Sequence, residues 1–255
     1  MIRLPNAGPI LRSVSMSISF RNVSKSFGPK VILDNISFQV NTGEILFILG
    51  KSGMGKSVTL KTIIGLLKPE HGEVWIDNLD VTHSSETELS DVRKKCGMVF
   101  QHPALLDSLS VFENVAFGLR GLTFDEKKAR VLECLHLVHL NDTILNRKPP
   151  EISYGMQKRV SLARTLAPKP SYLLFDEPTT GLDPITTNAV NELIFELSRK
   201  LGVTSLVVSH DMGCALRIAD RILVVDRAKI LAIGSVSDIK NKSEPLIEDF
   251  LREAL

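Results

Sequence analysis

The residues best suited to chemistry stand in one run, Gly50-Lys51-Ser52-Gly53-Met54-Gly55-Lys56-Ser57. This glycine, lysine and serine spacing is that of a loop that cradles phosphates. Glycines let the backbone curl so that its N–H groups converge on an anion. A helix start behind the loop adds partial positive charge. In such a loop Lys56 reaches the β- and γ-phosphates of a nucleotide, and the Ser57 hydroxyl holds Mg²⁺. A second group, Asp176-Glu177, ends the apolar run Tyr172-Leu173-Leu174-Phe175. One carboxylate there suits Mg²⁺ coordination, and its neighbour suits orienting and deprotonating a water. A third, Ser153-Tyr154-Gly155-Met156, precedes the strong helix former Gln157 to Arg164. A serine and a glycine at a helix start make an anion site, but an ordinary capped helix has the same pattern, and taken alone the two readings are even. His210, after Val207-Val208-Ser209, reads by itself as polar surface.

Such residues need rigid elements behind them. Ile45–Leu49 predicts a buried strand into the loop, and Val58–Leu67 a helix out of it, stopped at Lys68-Pro69-Glu70-His71-Gly72. Further strands are expected at Ile18–Val23, Val31–Leu33, Ile36–Val40, Glu73–Ile76, Gly97–Phe100 with Gln101 just beyond, Val203–Val208, Ile222–Val225 and Ile230–Ile233. Ser26-Phe27-Gly28-Pro29 and Asn41-Thr42-Gly43-Glu44 predict turns. From Pro103 to Thr165 the strand runs vanish. Val111, Val115 and Leu119 lie four apart. Thr123 to Glu126 has the form of a capping box, with Val131, Leu132, Leu135 and Val138 as an apolar stripe behind it. Residues 141–150 read as loop. Asp183-Pro184 suits the N-cap and first position of a helix carrying Val190, Leu193, Ile194, Leu197 and Leu201, and a last helix is expected from Pro245 to Leu255.

Apolar strands alternating with helices imply an α/β fold with a largely parallel sheet covered on both faces. The expected organisation is an N-terminal extension at 1–15, a core at 16–102 and 166–240, an inserted helical subdomain at 103–165, and a helical tail at 241–255. Residues 1–15 make a poor signal peptide, and Met16 reads as an alternative start.

The 255 residues carry a formal charge of +2, too balanced to argue for nucleic acid. Arg93-Lys94-Lys95 and Lys158-Arg159 read as solvated basic faces. Cys96, Cys134 and Cys214 are odd in number and far apart, with neither metal spacing nor a disulfide framework, which points to a reducing compartment. No apolar run approaches the length of a membrane span.

From about Met16 to Leu255 the chain resembles the ATP-binding subunits of ABC transporters. Phe27 sits where that family stacks an aromatic on adenine. Gly50 to Ser57 falls on its Walker A motif, Gln101 on the Q-loop, Ser153 to Met156 on the signature, Asp176 and Glu177 on Walker B, Gly181-Leu182-Asp183 on the D-loop and His210 on the switch histidine. The resemblance implies a P-loop NTPase fold with a RecA-like mixed sheet core, an antiparallel β subdomain and an inserted helical subdomain. It also implies ATP and Mg²⁺ as ligands. Nucleotide contacts come from Gly50, Lys51, Ser52, Gly53, Met54, Gly55, Lys56, Ser57, Val58 and Asp183, with Ser153 and Gly155 acting on the nucleotide of a second copy. Glu177, His210 and Gln101 take catalytic roles, and Ser57, Gln101 and Asp176 face the metal. The implied partners are a second copy in a head-to-tail homodimer and a multi-span membrane permease, with no nucleic acid, at the cytoplasmic face of the inner membrane.

A narrower resemblance rests on Lys56-Ser57-Val58, the stretch Ile63 to Pro69, Met156, and Asp183-Pro184-Ile185-Thr186. These are similar to the ATPase subunits of Mla-type lipid transporters, which work with MCE-domain proteins. Importers of amino acids share much of the same sequence. Two departures stand out. Val58 replaces the usual threonine, and Tyr154 replaces the first signature glycine. Tyr154→Gly is expected to leave the fold intact and turnover undiminished. A groove for a permease helix is expected along 102–107 and at Val111 and Phe112, with Leu105 and Leu106 as anchors. Packing within the helical block is the competing reading, even for Phe112.

Overall fold

The computed structural model describes residues 16–254 in backbone; the expected extension at 1–15 and Leu255 lie outside the described residues. Two sheets share the chain. A six-stranded sheet has the order β10-β9-β3-β8-β7-β6, from Lys229–Ser235 (β10), Arg221–Asp226 (β9), Ile45–Leu49 (β3), Thr204–Ser209 (β8), Tyr172–Asp176 (β7) and Cys96–Val99 (β6). All its pairs are parallel except β10 with β9. A four-stranded antiparallel sheet has the order β2-β1-β4-β5, from Lys30–Asn41 (β2), Met16–Phe27 (β1), His71–Ile76 (β4) and Leu79–Asp80 (β5).

The pleat of β3 explains the layers. Every residue from Ile45 to Leu49 is buried. Ile45, Phe47 and Leu49 enter one apolar core, while Leu46 and Ile48 enter the other. The second core lies against the four-stranded sheet, helix α1 (Lys56–Ile63) and helix α2 (Glu86–Lys95). The first is filled by helices α3 (Val111–Ala116), α4 (Phe124–Leu137), α5 (Tyr154–Leu166), α6 (Pro184–Leu201), α7 (Met212–Ile218), α8 (Val236–Lys240) and α9 (Pro245–Ala254). A parallel strand buried on both faces reads as a continuous apolar run for this reason.

Every element between β6 and β7 is helical, and β6 and β7 are direct neighbours, with Cys96 opposite Tyr172. The block of α3, α4 and α5 therefore leaves and re-enters one edge of the sheet.

Several local expectations change. The segments 31–33 and 36–40 are one strand, β2, which passes Asn35 at φ +52 without ending. β1 continues through Phe27, so the turn is only Gly28-Pro29. The helix after the loop stops at Ile63, because Gly65 turns left-handed at φ +64 against Leu89. α2, α7 and α8 were not expected. α2 starts with a complete capping box, Ser85 with Glu88. Leu119 lies beyond α3 yet is buried. The basic clusters are not simply solvated. Arg93 donates to Ile64 O and Gly65 O, at 3.1 and 3.2 Å, and Lys158 is buried.

Candidate nucleotide site

The loop between β3 and α1 is shaped by two glycines with no room for a side chain. At Gly50 a Cβ would come within 2.7 Å of Val225 Cγ2 and O, and at Gly55 within 2.8 Å of Ile32 O. Gly55 also holds φ +89, a conformation only glycine adopts freely. It caps α1 with no side-chain acceptor, and no acid stands in the first turn. The first N–H groups of α1 are thus left to an external acceptor. These features fit a phosphate chain.

Lys56 is buried beneath the loop. Its ammonium donates to Gly50 O at 2.7 Å and Lys51 O at 3.2 Å, and pairs with Glu177 Oε1 at 3.1 Å. The Ser57 hydroxyl donates to Asp176 Oδ1 at 2.7 Å. One hydroxyl against one carboxylate oxygen is a donor set that suits a hard cation such as Mg²⁺. Parallel pairing of β7 with β8, Asp176 opposite Val208, delivers both acids and His210 to the same edge.

Glu177 stands at a break in the backbone. Its N–H still donates to Val208 O at 3.0 Å, but its φ is +50, which a residue with a Cβ holds only where neighbours impose it. Its Oε2 lies 2.8 Å from His210 Nδ1 and accepts from the Thr180 hydroxyl at 3.2 Å. The carboxylate is thus fixed by the loop lysine, the histidine after β8, and the turn after β7.

A cleft of about 600 Å³ opens over these groups, lined by Lys51, Ser52, Gln101, Glu177, Thr180 and His210. Its far wall is α9, through Leu246, Asp249, Phe250 and Arg252. The sequence marks α9 as a last helix with no role. The apolar positions Leu246, Ile247, Phe250 and Leu251 were the available sign that one face is packed, and Ile247 and Phe250 are buried.

Other expected site residues are not among those lining this cleft. Phe27 is half exposed, with the Lys25 ammonium 5.3 Å from its ring. Ser153 caps α5, its Oγ accepting from Met156 N at 3.3 Å. A Cβ on Gly155 would be 3.5 Å from the Thr186 methyl, and Thr186 donates its hydroxyl to Asp183 at 2.6 Å. Asp183 also accepts from the N–H groups of Ile185 and Thr186, and the Thr186 hydroxyl above all holds its carboxyl below the usual range. Ser153, Gly155 and Asp183 therefore share a second face. The segment after Gln101 is tied down by residues that sequence reasoning did not single out. Buried Asn114 donates to Leu106 O, Leu109 O and Ser110 O, and Arg164 donates to Ala104 O and Pro103 O. Leu105 and Phe112 pack against the core, while Leu106 is 41% exposed.

Residues 33–180 match the family model described as ABC transporter. The methionine import ATP-binding protein MetN of Carboxydothermus hydrogenoformans is 42% identical over 226 residues, 88% of this chain and 67% of that protein. Its counterpart in Rhizobium johnstonii is 42% identical over 221 residues, 86% of this chain and 61% of that protein. The chain thus spans under two thirds of the second of these relatives. The intermembrane phospholipid transport system ATP-binding protein MlaF of Escherichia coli is 39% identical over 244 residues, 94% of this chain and 90% of that protein. Among solved structures, an ATP-binding cassette determined as a dimer in a post-hydrolysis state with ADP and Pi superposes with a TM-score of 0.77 at 35% identity, covering 86% of this chain and 98% of that one. The cbiO1 protein of Clostridium perfringens, part of an ABC transporter complex, superposes with a TM-score of 0.83 at 28% identity, covering 93% of this chain and 96% of that one.

Proposed function

The chain belongs to the ABC transporter family as an ATP-binding, ATP-hydrolysing subunit, and we propose that it energises the movement of lipid, phospholipid in particular, through a multi-span permease. The observation that carries the chemistry is the convergence of Lys56, Ser57, Asp176, Glu177 and His210 through contacts of 2.7 to 3.1 Å. Phosphate oxygens compete with Glu177 Oε1 for the Lys56 ammonium. Glu177 is then free to accept the proton of a water aimed at the γ-phosphate. Ser57 and Asp176, with Gln101, would hold Mg²⁺, which when bound would supply charge neutralisation at the phosphates. His210 stays within reach of the same phosphate, and Phe27 stacks on the base. Lys51 to Val58 supply backbone N–H groups.

The second face, with Ser153, Gly155 and Asp183, serves the nucleotide of another copy in a head-to-tail homodimer. The related cassette solved as a dimer supports this reading. Among the described residues no helix is long and apolar enough to cross a membrane. We place the permease helix along 102–107, with Leu106 as the exposed anchor and the chain at the cytoplasmic face of the inner membrane. The division into a core at 16–102 and 166–240, a helical subdomain at 103–165 and a tail from 241 follows the same reading.

The lipid assignment rests on Lys56-Ser57-Val58, Met156 and Asp183 to Thr186, together with the phospholipid-transport relative; an MCE-domain protein is the further partner it calls for. The methionine-import relatives favour a second reading, import of a small polar solute. Vesicles containing the assembled transporter separate the two. ATP-dependent movement of labelled phospholipid supports the first, and ATP-dependent methionine uptake without lipid movement replaces it.

A further inference from the structure

Lys158 is 7% exposed, and both of its hydrogen bonds go to backbone carbonyls, Pro178 O at 2.6 Å and Thr180 O at 3.2 Å. It lines a small apolar pocket together with Val99, Leu162, Phe175 and Leu193. Burial there pulls the ammonium below the ordinary lysine value. The ring of Tyr154, one turn back on α5, lies 5.6 Å from the ammonium, and its hydroxyl is 3.3 Å from His102 Nδ1. Packing alone does not call for this arrangement. A methionine or leucine would fill an apolar crevice without the cost of burying a charge.

The two carbonyls that Lys158 holds belong to the turn directly after Glu177. That turn closes with Thr180 N donating to Glu177 O at 3.3 Å, and its Thr180 hydroxyl donates to Glu177 Oε2. The left-handed backbone of Glu177 is the kind of conformation that surrounding structure must impose. We propose that Lys158 is a positioning residue for hydrolysis: its ammonium fixes the Pro178–Thr180 turn, which aims the Glu177 carboxylate, while Tyr154 covers the ammonium and reaches the segment that carries Gln101. This rests on the reading of Glu177 as general base. It gives Tyr154 a positive role, so Tyr154→Gly, harmless on sequence grounds, removes two contacts and slows turnover.

The test compares Lys158→Met, Thr180→Val, their double mutant and Glu177→Gln in the full chain assembled with its permease, reading kcat, KM for ATP and the thermal midpoint. Lys158→Met should lower kcat about tenfold while KM stays within about twofold. The double mutant should be no slower than Lys158→Met by more than about twofold, because both changes act through one turn. Lys158→Arg should recover part of kcat. Wild-type kcat in Lys158→Met beside an inactive Glu177→Gln overturns the positioning role and leaves the base in place. Additive losses, or a KM that rises as kcat falls, also overturn it. Turnover retained in Glu177→Gln removes both readings together. If Lys158→Met does not fold, Tyr154→Leu at the exposed end of the pair decides. A kcat lowered about threefold at unchanged KM supports the proposal, and an unchanged kcat refutes it.

Discussion

Two helix starts in this molecule carry sequence that reads as phosphate-binding, and they are built in opposite ways. α1 begins at a left-handed glycine with no side-chain cap and a buried lysine in its first turn. The groups it works with, Asp176, Glu177 and His210, are brought to it by the same chain. α5 begins at an exposed serine that caps its own helix, beside a tyrosine that is 39% exposed. Its neighbours, Thr186 and Asp183, are already bonded to each other. The first start is a pocket, whereas the second is a face. The lesson is that the same local rule, N–H groups left over at a helix start, makes a site only when the rest of the fold supplies the opposing groups.

The largest effects should come from the pocket. Lys56→Ala should weaken ATP binding on the order of a hundredfold, since charge-assisted bonds to phosphate are lost. Glu177→Gln should leave affinity within about twofold and lower turnover by roughly 10² to 10⁴. Calorimetric titration with ATP beside a phosphate-release assay checks that the two mutants differ in kind.

In the proposed head-to-tail dimer the face should fail in a different manner, because there it serves another copy. Chains carrying Lys56→Ala and chains carrying Ser153→Arg should each be inactive alone. Mixed in equal amounts they should recover about a quarter of wild-type turnover, since half of the dimers then hold one intact composite site. No recovery on mixing would break the comparison at its root.

Stability should follow the same contrast on a smaller scale. Gly55→Ala places a Cβ in a left-handed residue and within 2.8 Å of Ile32 O, and should cost about 3 kcal/mol. Ser153→Ala removes only a cap, about 1 kcal/mol. Urea unfolding of both variants is the measurement.

The smallest effect concerns acid. Glu88, Glu113 and Glu126 close capping boxes, and hydrogen bonds from Ser85, Ser110 and Thr123 hold each carboxyl below its ordinary 4.5. Groups depressed in the fold contribute fully above that ordinary value, and the contribution is lost as pH falls through the folded one. Below about pH 4.5, hydrogen exchange should therefore rise at the starts of α2, α3 and α4. α1 and α5, capped by a glycine and a serine, should not share that change.

Much of this contrast was legible in the residues, for physical reasons that also mark the limits. Continuous apolar runs such as Ile45 to Leu49 announce strands buried on both faces, and the glycine loop announces itself by spacing. Strand continuity was less visible, because Asn22 and Asn35 sit at positive φ inside β1 and β2 and read as breaks. α2 was legible in Ser85 and Glu88 but was masked by the basic cluster that ends it. The contacts of Lys158 with Pro178 and Thr180, and the placement of α9 over the cleft, join residues far apart in the chain. No local pattern encodes them.

The left-handed backbone of Glu177 sets the fold and the reaction at odds over a single residue. Replacement by glycine ordinarily costs up to about 1 kcal/mol through the freedom gained by the unfolded chain. Here it also releases a conformation that disfavours any side chain by roughly the same amount or more. Glu177→Gly should therefore melt no lower than Glu177→Gln, which keeps the strain and also lacks the carboxylate. On the proposed reading of Glu177 as general base, stability gained at this position comes only with loss of turnover.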